Sequence, residues 1–535
     1  MREKAIALSA VKKSPHKQEL GRDKRNYFLR EISGYHVLRS IELLYLDKTE
    51  GNVLGGTHFN PDIMHPLRNK TSMVVRWPNF LLPILGLLVS CAADHPAEAN
   101  HPDNDPRPRL LILTDIGGDP DDQQSLIRLS LYFNEFEIEG LITSASGTPG
   151  ELGEAVIKPH LIEEIIQAYG EVSDNLRLHD PTYPDYKDLL QKIKKGNPNR
   201  GMDHIGEGHN TEGSEWIIKV VDREDSRPIN IAIWGGQTDL FQALWKVAHT
   251  RTVEQYHQFV SRMRIYDIAD QDEIFEQVIG DYPGLFYILN KAPEGEDRRK
   301  AVFRGMYLGG DESLTSLDWI RTHVQEGHGP LGALYPLKTW TAPNPHGVLK
   351  EGDTPSWFYF LPNGLGHPDH PQWGGWGGRF EPGEFCFVDA EDTIEGSSST
   401  RSTVWRWRPH FQNEFQARMD WCIAPYKDAN HAPEIVVNGI PGRKVLVLEV
   451  APGEQVSLTT AGTTDPDGDD LSYKWFSYSE AGNGNLVIGQ VDGPDGDVKV
   501  PEKASPGEEF HLILQVTDHG LPPLTSYRRM VFRIR

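Results

Sequence analysis

The stretch "LLILTDIGGDPDDQQSLIRL", residues 110–129, decides the fold. It opens on an unbroken aliphatic run, Leu110 to Leu113, as a strand buried on both faces requires. Asp119-Pro120 then starts a helix, with Leu126, Ile127 and Leu129 at helical spacing. The same order recurs twice: "EIEGLIT" (137–143) precedes a helical pattern over Glu154–Tyr169, and "INIAIWGG" (229–236) precedes another over Thr238–Ala248. Such alternation predicts an α/β fold, an open, mainly parallel sheet with helices on both faces. Ligands in that architecture sit beyond the carboxyl ends of the strands. Asp115, Asp119, Asp121 and Asp122 lie at such an end.

Helix capping accounts for three of these four acids. Asp119 serves as N-cap, Pro120 as first helical residue, and Asp121 and Asp122 complement the helix dipole, at about 0.3–1 kcal/mol each. Two carboxylates about 4 Å apart repel by roughly 4 kcal/mol at an effective dielectric of 20, so repulsion prevails unless a cation sits among them. Asp115, ending a strand, has no capping role. A hard divalent cation with oxygen ligands is the alternative to capping, with calcium ahead of magnesium because its shell tolerates irregular ligand spacing.

The 535 residues are 38% hydrophobic and 24% charged, with a net charge of −23. That acidity argues against nucleic acid or an anionic membrane surface as partner, since both need clustered Lys and Arg. Residues 73–94, "MVVRWPNFLLPILGLLVSCAAD", read as a signal peptide: a basic start, an apolar core too short to span a bilayer, and a small residue before Cys91. Leu88 to Cys91 is similar to a bacterial lipobox, which implies acylation of Cys91, membrane contact through that anchor alone, and a periplasmic, outer-membrane or cell-surface location. Residues 1–72 carry 13 Lys/Arg against 8 Asp/Glu, a basic balance, whereas the rest of the chain is acidic. They are expected to be upstream sequence outside the fold, with translation starting at Met73. Residues 92–107 form a polar tether. Cys386 and Cys422 are then the remaining thiols, able to pair in an oxidising compartment.

An α/β domain is expected over 108–430. From His431 to Arg535 the texture changes to short alternating strands such as "KVLVLEV", "LSYKWFSY" and "HLILQVTD", a small Ig-like or cadherin-like β-sandwich. Its "TTDPDGDDLSY" (463–473) reads as a tight Asp-Pro-Asp-Gly turn, with calcium binding as the alternative. In "HPDHPQWGGWGGRF" (367–380), Trp373 and Trp376 stand among glycines, either as the wall of a sugar site or packed against the domain. His367 and His370 have a spacing that suits zinc but lack completing ligands. Asn210, Glu212 and Glu215 are read as solvated loop groups.

Several of these stretches carry a family resemblance. "TDIGGDPDDQQS", "IWGGQTDLFQAL", "GHGPLGALYP", "GDTPSWFYFLPNGL" and "WGGWGGRFEPG" together resemble the cellulose-binding family with a nucleoside-hydrolase-like domain followed by an Ig-like domain. More distantly, "ILTDIGGDPDD" resembles the aspartate-rich loop of the inosine-uridine-type nucleoside hydrolases, with two extra residues before Asp121. The resemblance implies calcium held by Asp115, Asp122, the Thr238 backbone carbonyl and Asp353. It also implies that Asp115 takes a proton from water and that Asp121 contacts sugar hydroxyls. Helix capping is the alternative for Thr238 and Asp353. The implied reaction is hydrolysis of a glycosidic bond in a saccharide or nucleoside-like substrate; non-catalytic binding of a cellulose-type polysaccharide is the rival. The nucleoside hydrolases place a histidine before the last aspartate, where this chain has Gly352. His328 and His346 are the candidates to replace it.

Overall fold

Leu110 and Ile112 of the first strand face one hydrophobic core while Leu111 and Leu113 face another, so the strand is sandwiched as its aliphatic run predicts. The computed structural model describes residues 106–147, 154–338 and 349–535. The expectations for residues 1–105, including the signal peptide and Cys91, and for His346 lie outside them.

One sheet organises the chain up to Asp389. Its strands are β1 (Arg109–Thr114), β2 (Glu137–Thr143), β3 (Ile193–Lys195), β4 (Ile229–Trp234), β5 (Met263–Ile268), β6 (Phe286–Asn290), β7 (Phe380–Pro382) and β8 (Phe387–Asp389). Their order is β3-β2-β1-β4-β5-β6-β8-β7. Neighbours are parallel throughout except for the antiparallel β7–β8 pair. The order reverses between β1 and β4, which are paired in register from Arg109↔Ile229 to Thr114↔Trp234. The loops leaving those two strands flank the switch point, where α/β sheets open a crevice.

Helix α1 (Asp121–Ser130) follows β1. The helix expected over Glu154–Tyr169 instead runs from Pro159 to His179. Proline at its first turn fixes the start, since the missing N–H costs nothing there. The helix after β4, α2, spans Gln237–Thr250. Among the described residues no helix is long and apolar enough to cross a membrane.

Beyond a two-stranded pair (Val436–Val437 with Ile440–Pro441), the C-terminal strands form two sheets, one ordered Leu446–Val450, Thr525–Ile534, Glu509–Asp518 and Leu471–Ser477, the other Gln455–Thr459, Asp495–Lys499 and Val487–Ile488. Leu512 and Leu514 fill the core between the sheets. Ile513 and Tyr527 point the other way and join the core of the α/β part. Arg529 donates to the carbonyls of Leu365, Trp373 (2.6 Å) and Gly374 (3.0 Å). The sandwich is therefore fused to the α/β part through an apolar face. Cys386 and Cys422 are both free thiols.

Candidate functional site

Asp115 follows the last residue of β1, and the chain turns through Gly117 and Gly118 into α1. Neither capping expectation holds in the form the sequence suggests. Pro120 is the N-cap of α1 and no side chain caps that helix. Asp119 instead reaches the ammonium of Lys350, which also lies 3.0 Å from Asp121 Oδ2. Asp353 precedes the short helix Thr354–Phe358 without a side-chain cap bond, and its buried Oδ2 has no hydrogen-bond partner among the described residues.

Asp121, Asp122 and Asp353 each offer a carboxylate oxygen, all within 4.8 Å of one another, and all three residues are buried. Thr114 donates its hydroxyl to Asp122 Oδ1. Asp115 borders the group beside Asp122 and lies 3.3 Å from Arg200 Nη2. Gly235, after β4, lies so close that a Cβ there would stand 2.8 Å from Asp115 Cγ, and its φ of +120° also favours glycine.

Burial raises the proton affinity of every acid in the group. Asp115 is pushed up to about 7 by burial, which Arg200 partly offsets and Asp272 and Asp121 reinforce. Burial, then Asp353 and Asp115, raise Asp122 well above the carboxylate range. Burial, then Asp121 and Asp115, do the same to Asp353. Asp121 rises less, because Lys350 opposes its burial. Three buried acids that disfavour each other's charge, one with an unpartnered oxygen, make an oxygen-rich set fit for a hard divalent ion.

Asp121, expected to contact sugar, converges with the expected ligands Asp122 and Asp353. Thr238, whose backbone carbonyl is an expected ligand, is the second residue of α2 and donates its N–H and hydroxyl to Asp272 Oδ2, at 2.8 and 2.7 Å. Trp373 and Trp376 are 5% and 1% exposed, so neither presents an indole face to a sugar. His370 stacks on Trp373 at 4.0 Å, and Phe358, Phe411 and Tyr527 surround Trp376. His328 turns to Asp420, at 3.1 Å. Asn210, Glu212 and Glu215 bond to Gln242, Lys195 and Lys246. Asp465 Oδ1 accepts from the N–H groups of Asp467 and Asp469, as in the tight turn expected there.

A side chain at Gly352 would place its Cβ 2.9 Å from Asp121 Oδ2 and 3.4 Å from Phe303. The glycine thus lets the 350–353 segment lie against the acidic loop. Sequence reasoning missed Lys350, Arg200 and Asp272. Arg200 and Asp272 meet the site across long gaps in the chain, and Lys350, three residues before Asp353, is tied to it by acids more than 220 positions away.

Residues 109–380 match the family described as "Cellulose-binding Sde182, nucleoside hydrolase-like domain". The chain belongs to this family. Residues 455–534 match the C-terminal domain of the cellulose-binding protein Sde0182. A solved structure of a protein from Saccharophagus degradans, described as nucleoside hydrolase-related, hypothetical and associated with carbohydrate metabolism, is 32% identical. That match covers 80% of this chain and 100% of the other, with a TM-score of 0.67. Protocadherin-10 of Homo sapiens is 30% identical over 114 residues, 20% of this chain, and the chain spans 11% of that relative's length.

Proposed function

We propose that the chain is a calcium-dependent hydrolase of a glycosidic bond in a saccharide or nucleoside-like compound. The observation that carries this reading is the convergence of Asp121, Asp122 and Asp353, with the buried, unpartnered Oδ2 of Asp353 among them. Calcium bound there would supply positive charge to orient vicinal hydroxyls and acidify water. Asp115, with a proton affinity near neutrality, is suited to take the proton from an attacking water at the rim of the cluster. Arg200 orients its carboxylate through Oδ2. Asp121 offers an acceptor to a sugar hydroxyl.

Gly352 favours a second reading, binding of a cellulose-type polysaccharide without turnover, because it brings no proton donor to the acidic loop. The family description and the carbohydrate association of the Saccharophagus relative also support a sugar partner. The lipobox-like run ending at Cys91 supports an exported, lipid-anchored setting in which saccharides are encountered. A panel of glycosides and nucleosides, assayed with calcium and with chelator, separates the readings. An enzyme releases reducing sugar or base in a calcium-dependent way, and Asp115→Asn abolishes release while leaving the circular dichroism unchanged. Retention on polysaccharide with no release from any substrate establishes the binder and overturns the hydrolase.

A further inference from the structure

Lys350 places an ammonium inside the acidic cluster, and its side chain is only 8% exposed. It touches Asp119 and lies 3.0 Å from Asp121 Oδ2. The backbone on either side leaves it little freedom to withdraw. Gln124 Oε1, on α1, accepts from the N–H groups of Lys350 (2.9 Å) and Glu351 (3.2 Å). Glu351 is anchored in turn by Arg128 and Tyr335. Asp121 is thereby shared: it belongs to the group formed with Asp122 and Asp353, and its Oδ2 also faces the lysine.

We infer that Lys350 sets the affinity of the cation site: it is a built-in counter-ion that neutralises part of the charge of Asp119 and Asp121 beside the divalent ion and so leaves that ion weakly held. The inference rests on the proposed metal site and adds what sets its affinity. Ligand charge count tunes calcium affinity over several orders of magnitude, and a fixed ammonium beside the ligands removes about one unit of that charge. A site balanced this way is expected to hold calcium with a dissociation constant on the order of 10⁻⁴–10⁻³ M, the range of extracellular modules. Release of Asp119 and Asp121 from the lysine would tighten it.

The test is calorimetric titration of the whole chain with calcium chloride. Wild type is compared with Lys350→Met and with the charge-matched double variant Lys350→Met/Asp119→Asn, which removes the lysine together with one of its two acids and guards against misfolding. The expected result is binding at least tenfold tighter in both variants, because Asp121 then meets the ion with its full charge. Unchanged or weaker binding in the double variant, with native circular dichroism, overturns the role of Lys350 and leaves the metal site standing. Calcium binding by the variants but not by wild type upholds the lysine and removes the calcium-dependent reading of the native protein. No binding by any of the three overturns both.

Discussion

Glu351 and Arg128 form an ion pair in which neither side chain has any exposed surface, and the pair fixes the segment that carries Lys350 and Asp353. Arg128 lies in the last turn of α1, seven residues after Asp121 of its acidic first turn. Glu351 also accepts from Tyr335 (2.6 Å) and Thr354 (3.2 Å), and adopts a φ of +41°, which non-glycine residues rarely take. Removing one partner leaves a buried charge uncompensated, at a cost of about 3–5 kcal/mol. Glu351→Ala is therefore expected to lose that much stability in urea unfolding. Arg128→Met/Glu351→Met should recover most of it, because both charges leave together.

Asp353 costs the ion-free protein stability for the same reason. Its Oδ2 is buried without a partner among the described residues, and the acids around it outweigh Lys350. Asp353→Asn removes the ionisable carboxyl at nearly constant volume. In chelator, its melting temperature should rise, by an amount corresponding to about 1–3 kcal/mol. Added calcium should stabilise wild type and leave the variant unmoved. A variant melting below wild type in chelator would show that the carboxylate is not a burden in the ion-free fold.

How much of the fold and the site is legible in the sequence depends on how local each signal is. The strand, loop and helix over 110–129 are readable because aliphatic run, proline and acidic first turn all agree within that one stretch. Asp119 reads as a cap because its partner, Lys350, lies 231 positions away. The Trp373–Trp376 loop is open to two readings for a similar reason. Glycines and indoles look the same whether they line a groove or lie under another domain, and Arg529, which ties the loop down, is 156 residues on. The acids themselves can be found by charge crowding alone, since no fold leaves such a group uncompensated without cause.

Proton and cation should compete at this site. Asp115 rises from 3.8 to about 7 on folding, and Asp239, buried beside Thr211 and Asn197, rises to about 7 as well. Raised carboxyl values mean that the native state binds more protons than the unfolded chain between about pH 4 and 7. Without divalent ion, stability should accordingly fall as pH climbs through that window and level off above it. Calcium affinity should move the opposite way, strengthening from about pH 5.5 to 7.5 as the ligand group loses its protons. Melting curves across that range, with calcium and with chelator, check both slopes. Parallel curves under the two conditions would exclude competition.

Arg529 offers the sharpest test of whether the sandwich is a separable module. Its guanidinium is buried and supplies hydrogen bonds to three backbone carbonyls of the Leu365–Gly374 segment, while Tyr527 closes over Trp376. Arg529→Met would strand those carbonyls away from water, costing about 1–3 kcal/mol for each that finds no new donor. Tyr527 and Ile513 are also part of the α/β core, so a chain ending before His431 would expose apolar surface that the rest of the fold cannot cover. Wild type should consequently unfold in one transition by calorimetry. The truncated chain should aggregate or melt far below it. A truncated chain that stays soluble and melts with wild type would show instead that the two parts only touch.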